Sequence, residues 1–317
     1  MEAGLFEPDS MCTPDPEIDA VVAELRRLDP DGDRFAAVIR DTFDQIYDGQ
    51  RTGRWSFDQL FKTERTHIGT LVEINLQREF KFADGDETDY RIAGIQVDCK
   101  YSMEYGKWML PPEVMDRLAL VVTANDEHST WQAGVVRARR EWVNNGNNRD
   151  AKKTLKAAHR SEIRNLWPHH PGLKPNLFYS LPEADRKAIF DAKSARGGTQ
   201  HGQARVNELF RRAQGRIVRR AELATVAQQD DFMKRGRSNG GARDKLRPEG
   251  ILVLGHQDDD PVVAASLGLP VPKKGELVSS RVARAGPSDP QVAEVGGSLW
   301  RIATASDPVG PAPVVTR

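Results

Sequence analysis

Asp89, Asp98 and Lys100 are the residues of this chain whose types and spacing most readily suggest chemistry. They lie in the string Thr88-Asp89-Tyr90-Arg91-Ile92-Ala93-Gly94-Ile95-Gln96-Val97-Asp98-Cys99-Lys100. In its second half Ile95, Val97 and Cys99 share one face of a strand, and Gln96, Asp98 and Lys100 share the other. Asp98 and Lys100 are then neighbours, about 6–7 Å apart along the strand. If the chain reverses at Ala93-Gly94, Asp89 falls opposite Asp98, with Cβ atoms about 5 Å apart. Facing carboxylates repel and destabilise a sheet. A hard divalent cation removes that objection, because Mg²⁺ takes one or two carboxylates together with water and phosphate oxygens. A lysine beside it can orient or deprotonate a water and steady charge on a phosphate. Glu73, in the largely apolar Leu71-Val72-Glu73-Ile74-Asn75-Leu76, is a third acid that is costly to bury unless paired or metal-bound. Such a set suits metal-assisted phosphodiester hydrolysis. Without a metal, the same string is an exposed hairpin with a surface salt bridge, and Glu73 is an outward-facing helix residue.

The elements that must position these residues are legible in the hydrophobic pattern. Ile18, Val21, Val22, Leu25 and Leu28 recur at helical spacing after Asp15-Pro16, a cap and a first-turn proline. Phe35, Val38, Ile39, Phe43, Ile46 and Tyr47 predict a second helix ending at Asp48-Gly49. Leu60 to Phe80 predicts a third, which carries Glu73. Residues 90–101 then alternate as a strand does, and Leu118–Thr123 and Trp131–Val136 predict further strands. Trp167-Pro168-His169-His170-Pro171-Gly172-Leu173-Lys174-Pro175 is the best linker candidate. Three segments follow: 1–166, a linker at 167–176, and 177–317. The first thirteen residues and the stretch from Asp307 onward are expected to be loose tails.

Asp-(eight residues)-Asp-x-Lys resembles the pattern of the PD-(D/E)xK nucleases, with Thr88 where a proline is usual. The resemblance then extends well beyond one motif. Asp48-Gly49-Gln50-Arg51-Thr52-Gly53-Arg54-Trp55, Gly69-Thr70-Leu71-Val72-Glu73-Ile74-Asn75-Leu76 and Ile95-Gln96-Val97-Asp98-Cys99-Lys100 are similar to blocks of the NaeI family of restriction endonucleases. So are residues 200–212, beginning Gln200-His201-Gly202-Gln203, and residues 224–235, beginning Ala224-Thr225-Val226-Ala227. The resemblance implies an α/β fold with a restriction-endonuclease-like PD-(D/E)xK core, followed by a winged-helix (CAP-like) DNA-binding domain. It further implies a homodimeric, Mg²⁺-dependent type IIE enzyme that cuts duplex DNA within GCCGGC and is activated when a second copy of the site binds elsewhere on it. The family's catalytic residues fall on Glu73, Asp89, Asp98 and Lys100, with the three acids as the metal ligands.

Charge supports a polyanionic partner. The 317 residues carry 46 Lys plus Arg and 46 Asp plus Glu, a net charge of zero. Residues 1–48, however, hold thirteen acids against four arginines, and residues 186–247 hold sixteen basic against six acidic residues. That second excess suits nucleic acid, and a solvated basic face is its plainer reading. Residues 203–250 can be read as a winged helix, with Gln203–Arg212 and Ala221–Gln229 as helices and a short third one through Phe232–Arg237. Ser238–Arg243 reads as a turn suited to a wing or its lead-in. Arg219, Arg220, Lys234, Arg235, Arg237 and Arg243 are the DNA-binding candidates there. In the first half, Ile46-Tyr47-Asp48-Gly49-Gln50-Arg51 resembles the K-x-D-G-x-R motif of DNA ligases, but an isoleucine at the nucleotide-accepting position excludes that chemistry. Arg51 and Arg54 could contact phosphates instead.

Mean hydropathy is −0.58, and no stretch approaches the roughly 20 apolar residues of a membrane span. Two cysteines are too few for a disulfide framework or a zinc cluster. The reading is therefore a cytoplasmic protein with double-stranded DNA, not a membrane, as its partner. A non-enzymatic winged-helix regulator with an inactive nuclease core is the alternative, but such a core should have lost one of its four site residues, and none is missing.

Overall fold

Asp15 starts the first helix as the composition predicts: its Oδ1 accepts the backbone N–H groups of Glu17 and Ile18 at 3.2 and 3.3 Å. Pro16 occupies the first turn, where its missing N–H costs nothing. The computed structural model describes residues 12–145, 151–195, 200–286 and 288–315. The expected N-terminal tail therefore lies almost wholly outside the described residues. The chain divides into two units. One contains the residues up to Ile46 together with Ser56–Pro175; the other contains Tyr47–Trp55 and the chain from Asn176 onward.

The first unit is built on α1 (Pro16–Leu28), α2 (Asp33–Tyr47) and, after the short α3 (Gly49–Thr52) that belongs to the second unit, α4 (Lys62–Phe80). Ile68, Val72, Leu76 and Phe80 of α4 are buried at four-residue spacing, one stripe of the helix. The sheet runs β1 (Ala83–Asp84), β2 (Tyr90–Ile92), β3 (Ile95–Ser102), β4 (Leu118–Asn125), β5 (Thr130–Arg137) and β6 (Arg164–Asn165), in sequence order. All its pairings are antiparallel except β3 with β4, which run parallel. β4 is buried on both faces, which is why Leu118–Val122 reads as a continuous apolar run. Asp15 is salt-bridged to Arg137 of β5 at 2.6 Å, fastening α1 to the sheet. Trp167 and His170, in the Pro-rich stretch, pack in this unit. Trp167 lies 5.2 Å from the Phe35 ring, and His170 Nδ1 accepts the Trp131 indole N–H at 2.8 Å. The change of unit comes at the end of that stretch, between Pro175 and Asn176.

The second unit contains α5 (Leu177–Ser180), α6 (Glu183–Asp191), α7 (Gln200–Arg212), β7 (Ile217–Val218), α8 (Arg220–Ala227), α9 (Phe232–Gly236), α10 (Ala242–Lys245), β8 (Ile251–Leu254), α11 (Asp260–Ser266), β9 (Leu277–Arg284), β10 (Ala293–Val295) and β11 (Ser298–Ile302). β9 is the hub of the sheet and pairs antiparallel with β7, β8 and β11. Ile251 and Val253 pack on the core made with α7 and α8, while Leu252 and Leu254 pack on a second core with Val278 and Trp300. Gly236, an awkward helix residue by propensity, has a packing reason: a Cβ there would stand 2.8 Å from Leu277 Cδ1.

Two expectations need correction here. The stretch from Asp307 is not loose: Arg301 holds Asp307 at 2.7 Å, and Ala312 and Val315 are buried in the second core. Asp48-Gly49 does end the second helix, which stops at Tyr47; Asp48 turns the chain with a left-handed φ of 46°, and α3 follows at once. Ser238–Arg243 is not a turn throughout: residues 238–241 bend, and Ala242 and Arg243 open α10. Among the described residues, no helix is long and apolar enough to cross a membrane.

Candidate active site

The β2–β3 hairpin decides whether Asp89 and Asp98 meet. Tyr90 pairs with Val97, Arg91 with Gln96 and Ile92 with Ile95, so the same register extended by one residue sets Asp89 opposite Asp98. Ala93 and Gly94 turn the chain with φ of 52° and 79°, the sign pattern of a two-residue type I′ turn. Only Ala93 is strained by it, at a cost of about 1–2 kcal/mol.

Lys100 Nζ lies 2.5 Å from Asp98 Oδ2 and 3.5 Å from Asp89 Oδ2. Asp89 Oδ2 also accepts the Cys99 backbone N–H at 2.6 Å. Glu73 sits half-buried on α4, and its backbone carbonyl accepts the Tyr90 hydroxyl at 2.7 Å, which locks the helix against β2. The four expected residues are therefore brought together within the first unit.

Burial is the dominant influence on this cluster. It pushes the Asp98 carboxyl up to about 7, against the pull of Lys100 and with some help from the neighbouring Asp89. Burial and the charge of Asp89 raise Glu73 above the ordinary carboxylate range, while Lys100 opposes. For Lys100, burial alone would lower the pKa; Asp98 and Asp89 overcome it and the net shift is upward, so the amine holds its proton. Cys99 points to the other side of the strand, where burial raises its thiol and leaves it inert.

The acids suit a hard cation. Asp98 is 4% exposed, and Lys100 is the cation paired with its Oδ2. A buried carboxylate with two further acids beside it and one lysine to offset them still favours added positive charge. Among the described residues, however, no three His, Cys, Asp or Glu side chains close into a set able to hold an ion unaided. The expected three-acid ligand set is thus open, which fits a Mg²⁺ that keeps water and phosphate oxygens in its shell.

The expected DNA-binding residues fall into two groups. Arg219 is 12% exposed and paired at 2.9 Å with the buried Glu222, which also accepts the Leu177 N–H. Arg243 is equally covered and paired with Asp260 at 2.5 Å, and Arg235 pairs with Asp231 at 2.8 Å. These three are engaged inside the second unit. Arg220, Lys234 and Arg237 are exposed, Arg220 lying 4.8 Å over the Phe232 ring. Arg51 is exposed, 3.7 Å from Asp48. Arg54 is half-buried, in a segment that packs with the second unit: Gly49 abuts Thr225, and Gln50 bonds Asp230 at 3.0 Å.

Lys234, Arg237 and Arg243 share a cleft of about 490 Å³ with Asn239, His256, Gln257, Asp258 and Glu276. Sequence reading missed the loop 255–258 as part of this surface, because it is a solvated turn after a strand when read locally.

A mixed α/β fold that gathers acids from a hairpin and a helix around one lysine is consistent with an α/β nuclease. The comparison with known proteins agrees. Residues 19–311 match the family "Restriction endonuclease NaeI", and the chain belongs to that family. It is 57% identical over 311 residues to the type II restriction enzyme NaeI of Lentzea aerocolonigenes, a match covering 98% of both chains. The protein is an enzyme of the restriction endonuclease class.

Proposed function

We propose that this protein is a type IIE restriction endonuclease: it cleaves both strands of DNA, with Mg²⁺, within a GC-rich palindrome, GCCGGC, after a second copy of the site binds elsewhere on the protein. The observation that carries the reading is the meeting of Asp89, Asp98, Lys100 and Glu73 in one largely buried cluster of three acids and a single lysine. The first unit then serves as the PD-(D/E)xK core. Asp89 and Asp98 would hold Mg²⁺, with Glu73 contributing from α4; when bound, it supplies Lewis-acid activation of the scissile phosphate and of water. Lys100, kept protonated by the two aspartates, acts as a fixed cation that orients the attacking water and offsets charge on the phosphate. The walls around Asp98 exclude solvent and so strengthen both effects.

The order helix, strand, helix, helix, strand, strand over α7, β7, α8, α9–α10, β8 and β9 supports a winged-helix, CAP-like reading of the second unit. Arg220, Lys234 and Arg237 would meet phosphates of the activating DNA there. Arg51 and Arg54, in a segment that packs with the same unit, are further phosphate candidates. Arg219, Arg235 and Arg243 would build the surface rather than touch the duplex. Each chain carries a single cluster of this kind among its described residues, so cutting both strands of a palindrome suits a homodimer with matching symmetry. A DNA substrate fits a cytoplasmic location.

The test is digestion of a sequenced plasmid with Mg²⁺, with and without a short GCCGGC duplex. Discrete cuts within GCCGGC, accelerated by the duplex, are the expected result. Cuts at another sequence would replace the assigned site. No cutting by folded, DNA-binding protein would refute the nuclease reading.

A further inference from the structure

Gln96 shares a face of β3 with Asp98 and Lys100, but its amide bonds to the loop that delivers Asp89. That loop, residues 85–89, joins β1 to β2. Gln96 Oε1 accepts the Thr88 hydroxyl at 2.8 Å and the Asp86 backbone N–H at 3.1 Å, and Nε2 donates to Asp86 Oδ2 at 2.9 Å. This orientation of the amide satisfies all three bonds; the flipped one would set an NH₂ against the Asp86 N–H. Arg91, directly across the hairpin from Gln96, closes on the same Asp86 carboxylate. The loop is tight as well: Gly85 donates to the Asp89 carbonyl at 3.4 Å, and a Cβ on Gly85 would collide with the Thr88 carbonyl.

Thr88 immediately precedes Asp89 and stands where the PD-(D/E)xK pattern usually has proline. A proline ring fixes its own φ covalently; a threonine has no such restraint, and here its hydroxyl is tied to the strand that carries the other acid and the lysine. We propose that Gln96 is a positioning residue. Through Thr88 and Asp86 it holds the loop so that Asp89 faces Asp98 at the separation a divalent cation needs, doing with hydrogen bonds what a ring would otherwise do. The inference rests on the nuclease reading above, and it adds a residue that does not itself touch metal or DNA. Hydrogen-bond partners of ligating carboxylates typically set metal affinity by about 10–100-fold.

The test uses the full chain and two readouts: Mn²⁺ titrated calorimetrically into the protein, and cleavage rate against Mg²⁺ concentration. Gln96→Ala should weaken Mn²⁺ binding and raise the half-saturating Mg²⁺ about tenfold. The KM for DNA should stay unchanged, and most of kcat should return at saturating Mg²⁺. Thr88→Val, which removes only the hydroxyl, should move both readouts the same way; it carries the test if Gln96→Ala does not fold. The double variant should be little worse than Gln96→Ala, because both substitutions cut one path. Parental Mn²⁺ affinity and parental Mg²⁺ demand in both variants would overturn the proposal, even if kcat fell. A parent chain that neither binds Mn²⁺ nor cuts DNA would instead overturn the nuclease reading, and this inference with it.

Discussion

Asp98→Asn in the metal-free protein tests the electrostatics of the site apart from catalysis. Burial lifts the Asp98 carboxyl from an ordinary 3.8 to about 7 in the folded chain. A group that holds its proton more tightly when folded favours the folded state below its unfolded pKa, and loses that contribution as pH rises through the folded pKa. Ionising Asp98 should therefore erode stability between about pH 4 and 7 and leave a plateau above. At 1.36 kcal/mol per pKa unit the ceiling is about 4 kcal/mol. Asn cannot ionise, so the stability of Asp98→Asn relative to the parent should grow by about 3 kcal/mol from pH 4.5 to 8 and then level off. Urea unfolding in EDTA at a series of pH values measures this, and the dependence on pH matters more than the absolute difference, which also contains the altered contact with Lys100. Adding Mg²⁺ at pH 8 should stabilise the parent, by mass action on the folded state, and leave Asp98→Asn nearly unmoved. A difference between the two proteins that stays flat from pH 4.5 to 8 would refute the reasoning, because it would mean that Asp98 ionises in the fold as readily as in the open chain.

Arg40 and Asp126 form an ion pair with side chains only 3% and 1% exposed, so Arg40→Met should cost about 3–5 kcal/mol by removing the cation paired with a buried carboxylate; adding Asp126→Leu should recover part of it in the same urea assay. Ala93→Gly should raise the melting temperature slightly, by up to about 1 kcal/mol of stability, because it relieves a left-handed alanine. Arg219→Ala should lower stability by removing the guanidinium paired with the buried Glu222, whereas Arg220→Ala and Lys234→Ala should leave melting unchanged. Each of those two should weaken DNA binding and shallow its salt dependence by about one unit of slope, read by fluorescence anisotropy across a salt series. If Arg219→Ala proves as stable as the parent but defective in DNA binding, the division between structural and contact arginines is wrong.

Much of this architecture is legible along the chain because its determinants are local. The stripes Phe35, Val38, Ile39, Phe43 and Ile68, Val72, Leu76 are helical by spacing alone, and every one of those residues is buried. The alternation of residues 95–100, with a turn at Ala93-Gly94, is enough to set Asp89 against Asp98, since a strand has a period of two and a two-residue turn allows one register. The residues from Asp307 onward mislead for the opposite reason. Proline, valine and glycine there form no periodic element, and the burial of Ala312 and Val315 comes from a surface that β8, β9 and β11 assemble.

The candidate site divides along the same line. Sequence determined which residue types were available, Glu73, Asp89, Asp98 and Lys100, and which of them share a strand face. It could not determine that Asp98 would be almost wholly buried, because burial depends on what packs over the strand. Nor could it sort the arginines. Arg219, Arg220 and Arg243 are equivalent in a count of charge, yet Glu222 and Asp260 claim two of them and leave Arg220 at the surface. A charge acquires its role from its counter-ion and its solvent, and for Arg243 that counter-ion lies seventeen residues away across the fold. The assignment of Tyr47–Trp55 to the second unit is likewise a tertiary decision, made by contacts such as Gly49 with Thr225 that no local pattern encodes.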